Sequence, residues 1–203
     1  MKNTIIAILF LMTGYSFAQN DYFLQVNDSI LEVALDKEYK ININGKEVNF
    51  KVSVKDILLY DDDLFSFQYS KDYKITKTKI DEGIEQIMIM TAEGSGIMIQ
   101  KYSSFNPTML NEMMLNEITK ESISYGYKLN REDYVRSLKS GKKIEVDKAV
   151  LTYKGEKNVY EISSIGNKDE GIMIMTMDMI MDNKVNEQGQ KLINLMWDSL
   201  NYK

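Results

Sequence analysis

The side chains able to do chemistry form an unusual set: the chain has 14 Met but no His and no Cys. Within Gly171 to Met181, Met173, Met175, Met177, Met179 and Met181 occupy alternate positions. Successive side chains of a β-strand point to opposite faces. The thioethers therefore line one side of a predicted strand. Ile172, Ile174 and Ile180 line the other, with Thr176 and Asp178 between them. Soft thioethers select Cu(I), which makes Met173, Met175, Met177 and Met179 the candidate copper ligands. Met is also a flexible filler of apolar cores. Met109, Met113, Met114 and Met196 fall on predicted helical faces that would cover the same sheet, which favours the interior reading.

Other chemistries find less support. Without His or Cys there is no Ser-His-Asp or Cys-His arrangement, no zinc set of the usual kind, and no imidazole base. Ser140-Gly141-Lys142-Lys143 satisfies a bare S-x-x-K pattern, but the S-D-N and K-T-G partners are missing. Neither a Walker A nor a G-x-G-x-x-G pattern occurs. Asp61-Asp62-Asp63 lacks the alternating acids, central Gly and distal Glu of a calcium loop and reads as a solvated turn. A carboxylate pair acting on a polymer is a third option, with no spacing to single one out. No catalytic residue and no cofactor are assigned, and the chain is read as a non-enzyme.

The first residues read as an address. Lys2, the apolar run Ile5 to Met12 and the small residues of Ser16-Phe17-Ala18 make residues 1–18 a secretory signal peptide, cut after Ala18. The remainder is long enough for a domain with its own core. It has no disulfide support, so packing must hold it. The formal net charge is −5, unlike the clustered basic charge that displaces phosphate counterions. No nucleic acid and no membrane span after cleavage are expected. The composition points to a periplasmic or extracellular bacterial protein whose partner is an envelope protein or a small ligand.

These residues need elements to position them. Residues 19–57 read as a leader and a β unit. Asn44-Gly45 suits a type I′ turn, pairing Ile41 with Val48 and Tyr39 with Phe50. Residues 58–203 form the main domain. Phe65 to Ile75 predicts strand, turn, strand. Gly83 to Thr91 and Gly96 to Tyr102 predict a hairpin. Asn106-Pro107 opens a helix that Gly126 caps. Strands return through Tyr134-Val135, Ile144-Val146, Ala149 to Tyr153 and Val159 to Ile165. The Met strand follows, apolar on both faces and hence central and covered on both sides. A last helix runs from about Asn186 to Tyr202. Tyr125 and Tyr127, flanking the Gly cap, are a candidate partner surface. The Asp81-Glu82-Gly83-Ile84 and Asp169-Glu170-Gly171-Ile172 stretches, each leading into Ile-Met-Ile-Met-Thr, leave both duplication and convergence open.

This element order, together with Phe65-Ser66-Phe67-Gln68-Tyr69-Ser70-Lys71-Asp72-Tyr73-Lys74-Ile75, resembles the PsbP-like superfamily from about residue 65 onward. Ser70 stands where that superfamily places a Pro. The resemblance implies an α+β fold, an antiparallel β-sheet covered by two principal helices in an α/β/α sandwich, serving binding or assembly. An exported non-catalytic binding or assembly protein of the bacterial cell envelope is the expected function. A methionine-rich Cu(I)-handling periplasmic protein is the alternative, and a carboxylate-dependent polymer hydrolase comes third.

Overall fold

The computed structural model describes residues 22–26, 29–43, 45–180 and 184–203. The predicted signal peptide with its expected cut after Ala18, the turn residue Asn44 and Met181, the last Met of the predicted ladder, lie outside the described residues. The chain divides into two compact units, one ending at Val54 and one running from Lys55 to Lys203.

The first unit consists of two antiparallel pairs. β1 (Tyr22–Val26) pairs with β2 (Ser29–Val33), and β3 (Glu38–Ile43) with β4 (Lys46–Lys51). The β3–β4 register places Tyr39 opposite Phe50 and Ile41 opposite Val48, as the turn chemistry predicts. The Tyr39 and Phe50 rings stack with centroids 5.5 Å apart, a cross-strand aromatic pair of the kind that fixes register. Gly45 takes φ +79°, a conformation open to Gly at little cost.

The second unit holds β5 (Ile57–Asp61), β6 (Phe65–Ser70), β7 (Thr76–Asp81), β8 (Ile84–Met90), β9 (Gly96–Tyr102), α1 (Asn111–Tyr125), β10 (Lys128–Arg131), β11 (Tyr134–Ser137), β12 (Lys143–Tyr153), β13 (Glu156–Asn167), β14 (Glu170–Ile180), α2 (Glu187–Ser199) and β15 (Asn201–Tyr202). An eight-stranded antiparallel sheet runs β10-β12-β13-β14-β9-β8-β7, with β11 also on β12. The Met strand β14 sits in the middle, and residues 171–176 are buried throughout. A separate sheet runs β15-β6-β5. Residues 73–75, predicted as strand, instead lead irregularly into β7.

Alternation along β14 sorts two cores. Ile172 and Ile174 join Ile87, Ile89, Ile97, Ile99, Phe65, Phe67 and the α2 residues Leu192, Met196 and Trp197. Met173 and Met175 join Leu151, Ile162, Tyr102 and Leu115 of α1 on the opposite face. The two helices cover different strands: α1 packs on β12 and β13, whereas α2 packs on β6, β9 and β14. Among the described residues no helix is long and apolar enough to cross a membrane.

Both helix starts are pinned by close approach. Asn106 accepts a hydrogen bond from Thr108 N at 3.1 Å and opens a 3₁₀ turn over Pro107–Met109, so the α-helix begins at Asn111 and not at Pro107. That turn rests on β13 and β14, where a β-carbon on Gly166 would lie 2.2 Å from Asn106 Oδ1. Asn186 caps α2 by accepting from Gly189 N at 2.9 Å and donates to Ser95 Oγ at 3.1 Å. Gly126 closes α1 with φ +112°, the left-handed cap that Gly favours.

The sequence pattern misplaces part of the methionine cover. Met109 is 92% exposed and Met113 58% exposed. Met196 is buried on the Ile face, not the Met face. The stripe of α1 that packs down is centred on Leu115 and Thr119, with Met114 and Ile118 beside it. Thr119 is admissible there because its hydroxyl donates to Leu115 O at 2.8 Å, which satisfies the polar group within the helix.

Candidate functional site

Because α1 covers β12 and β13, the Met face of β8, β9 and β14 is left with a hollow beside the helix. Its volume is about 370 Å³, and its lining includes Met88, Met90, Met98, Met175, Met177 and Ile118. The size falls in the range of small-ligand sites.

Register explains the concentration of sulfur. Met88 of β8 stands opposite Met98 of β9, and Met98 opposite Met175 of β14. These three share a face because directly opposed residues in a sheet point the same way. One row along, Met90 and Met177 flank Gly96. Gly96 has no side chain, and Met90 Sδ lies where its β-carbon would be, 2.5 Å from that point. The floor is therefore apolar, soft and deformable. Tyr160 of β13 and Ile118 of α1 form part of the wall.

The predicted copper ligands separate. Met175 and Met177 line the hollow. Met173 is wholly buried in the core. Met179 lies outside the lining, against the turn at Gly94. The thioethers of β8 and β9 replace them, and the β-strand parity of Met88, Met90 and Met98 was the sequence signal that marked their shared face. Strand order, which brings β8 and β9 beside β14, carried no such signal.

Other candidates resolve as follows. Tyr125 and Tyr127 come together with Tyr153, whose ring centroid is 5.4 Å from Tyr125 and 5.1 Å from Tyr127. The Tyr127 hydroxyl donates to Glu156, and this bond raises the phenol above its ordinary pKa. The three acids at 61–63 are more than a solvated turn. Lys203 binds Asp61 at 2.7 Å, and Lys101 binds Asp62 at 2.6 Å and also Asp63. The Asp62 side chain is only 9% exposed. Among the described residues no group of three acids is placed to hold a metal. Ser140 donates nothing to Lys143; its hydroxyl accepts from the Lys142 backbone N–H at 3.4 Å.

No family model and no curated protein matches the chain. Among solved structures, it is similar to the solution structure of cyanobacterial PsbP (CyanoP) from Synechocystis sp. PCC 6803, with 10% identity, 75% of this chain and 95% of that chain covered, and a TM-score of 0.48. It is also similar to a crystal structure from Bacteroides thetaiotaomicron VPI-5482, with 11% identity and a TM-score of 0.35. That match covers 69% of this chain and 45% of the Bacteroides chain, so this chain spans less than half of its length.

Proposed function

We propose that this chain is an exported, non-catalytic binding protein of the bacterial cell envelope, periplasmic or extracellular, that holds a small apolar ligand in the methionine-lined hollow. In this reading the second unit is an α/β/α sandwich of the PsbP-like kind and the hollow is its working surface. One observation carries the reading: five thioethers from three adjacent strands line a single hollow beside α1. Methionine is adaptable and polarizable, so such a surface accepts apolar groups of varied shape. Tyr125, Tyr127 and Tyr153 would serve a protein partner at the far end of α1. The test is a titration of the purified protein with N-phenyl-naphthylamine, read by fluorescence and competed with long-chain fatty acids. Saturable, competable binding that weakens in Ile118→Gln supports the proposal; no saturable binding overturns it.

The second reading is Cu(I) handling, favoured by the in-register row Met88, Met98 and Met175. Three thioethers are soft ligands suited to this ion. Titration with Cu(I) under a competing chelator decides it. Met98→Leu separates the two readings, since Leu keeps the volume but has no sulfur. It abolishes copper binding and leaves apolar binding nearly unchanged.

A further inference from the structure

The opposite face of the sheet has its own uncovered region, with different chemistry. α2 packs over β6, β9 and β14, and Ile144, Val146 and Ile165 of β12 and β13 join the same core. The charged positions Lys148, Lys157 and Glu161 further along these strands are less covered. There a second hollow of about 310 Å³ is lined by Arg136, Lys148, Lys157, Glu161, Asp178 and Gln190, among others. Lys148, Glu161 and Thr176 form one cross-strand row, and Val150, Val159 and Asp178 the next.

The charges in this hollow are unequally satisfied. Glu161 accepts from the Tyr134 hydroxyl at 3.1 Å and from Thr176 Oγ1 at 3.4 Å. Asp178 accepts from Ser95 Oγ at 3.1 Å and from Gln190 Nε2 at 3.2 Å. Both acids are therefore already engaged by neutral donors. Lys148 pairs with Glu132 at 3.2 Å. No carboxylate among the described residues forms an ion pair with Arg136 or Lys157.

Arg136 is the group most in need of an anion. Its guanidinium stands 4.8 Å from the ring centre of Trp197 and 5.6 Å from that of Tyr134. One Nη donates to the Tyr134 hydroxyl at 3.0 Å, and Nε is buried without an acceptor. A guanidinium stays charged at any ordinary pH. Glu161 is linked to it only through the shared Tyr134 hydroxyl, so this partly desolvated charge lacks direct contact with a counter-ion, which is costly. The aromatic faces hold its plane and offset part of that cost. Arg136 lines the hollow together with the exposed Lys157.

We propose that the hollow between α2 and β11–β13 is a second binding site, separate from the methionine hollow, for a small organic carboxylate held by Arg136 with Lys157 at its rim. A carboxylate meets the guanidinium fork bidentately, as a spherical anion cannot, and a single negative charge meets less repulsion from Glu161 and Asp178 than a phosphate dianion does. Glu161 and Asp178, at the inner side, would favour a ligand whose far end donates hydrogen bonds.

The protein carries its own reporter, because Trp197 is the single Trp in the chain and lies against Arg136. Purified protein is titrated with 4-aminobutyrate, a carboxylate whose far end donates hydrogen bonds, at constant ionic strength, and Trp fluorescence is followed. A saturable change is expected with 4-aminobutyrate, and no saturable change with chloride or inorganic phosphate. Arg136→Met, which keeps the apolar stem, should weaken the response by at least about ten-fold. Lys157→Met, at an exposed position, should weaken it about three-fold, and Lys120→Met on α1 should leave it unchanged. Circular dichroism checks that each variant is folded. Absence of a saturable response, phosphate saturating as tightly as 4-aminobutyrate, or an unchanged response in folded Lys157→Met would overturn the proposal.

Discussion

Gly171 and Pro107 meet without room for a side chain between them: a β-carbon built on Gly171 would lie 2.7 Å from Pro107 Cδ and 2.5 Å from Ile165 O. The contact joins the start of the Met strand to the 3₁₀ turn that launches α1. Gly171→Ala must therefore move backbone on β13 or lift the turn. Overpacking of this kind costs about 1–3 kcal/mol. Urea unfolding should show that loss, with α1 the element most disturbed in hydrogen exchange.

Burial along β14 falls from its first half to its second, and mutational cost should follow. Ile174 is wholly buried against α2 and the Ile core. Ile174→Ala should cost about 3–4 kcal/mol, transfer and cavity together. Met177 is half-buried at the edge of the open hollow. Met177→Ala should cost only about 1 kcal/mol, because the site is already partly empty and the neighbouring Met side chains can relax into it. Equal losses at the two positions would contradict the placement of the hollow.

Much of this arrangement was legible in the residues. Alternation over Gly171 to Met181 gave a central strand with two apolar faces, and Asn106-Pro107 and Gly126 bracketed α1. The hairpin register followed from Asn44-Gly45. The site was less legible for physical reasons. Its row Met88–Met98–Met175 joins residues remote in sequence, and only strand order sets them side by side. The exposure of Met109 and Met113 was also hidden: Met109 falls in the 3₁₀ turn before α1, and on α1 tertiary packing chose the face bearing Leu115 and Thr119. Arg136 gave no signal at all: it lies in a four-residue strand among other polar residues, and its importance comes entirely from Trp197, which the fold brings to it.

Acid should reveal the Lys101 cluster. Burial alone would push the Lys101 ammonium down, but its hydrogen bonds to Asp62 and Asp63 outweigh that and raise it above its ordinary value. The bond shared with Asp62, followed by that from Lys101, holds the Asp63 carboxyl well below the usual carboxylate range. A depressed carboxyl stabilises the fold above its unfolded value of about 4 and loses that contribution as pH falls toward the folded value. The Asp63 side chain is 72% exposed, so solvent screening limits the effect to about 0.5 kcal/mol. Asp63→Asn should be less stable than the parent by that amount at neutral pH. The gap should shrink as the pH drops below about 4, read from urea midpoints across the acid range.

Peroxide should grade the methionines by access, because conversion to the sulfoxide follows exposure. Met109, at 92% exposed, and Met113, at 58%, should oxidise first. Met173 and Met196, both fully buried, should resist until the protein unfolds. Met88, Met90, Met98 and Met177, half-buried around the hollow, should fall between. The intermediate group is the informative one. An apolar occupant of the hollow would slow all four by excluding the oxidant, whereas a metal ion held by the central row would slow Met88 and Met98 more than Met177, which lies a row away. Mass spectrometry of peptides after timed exposure, with and without each probe, measures both patterns. Oxidation of Met173 as fast as Met109 would show that the sheet is not covered by α1 as described.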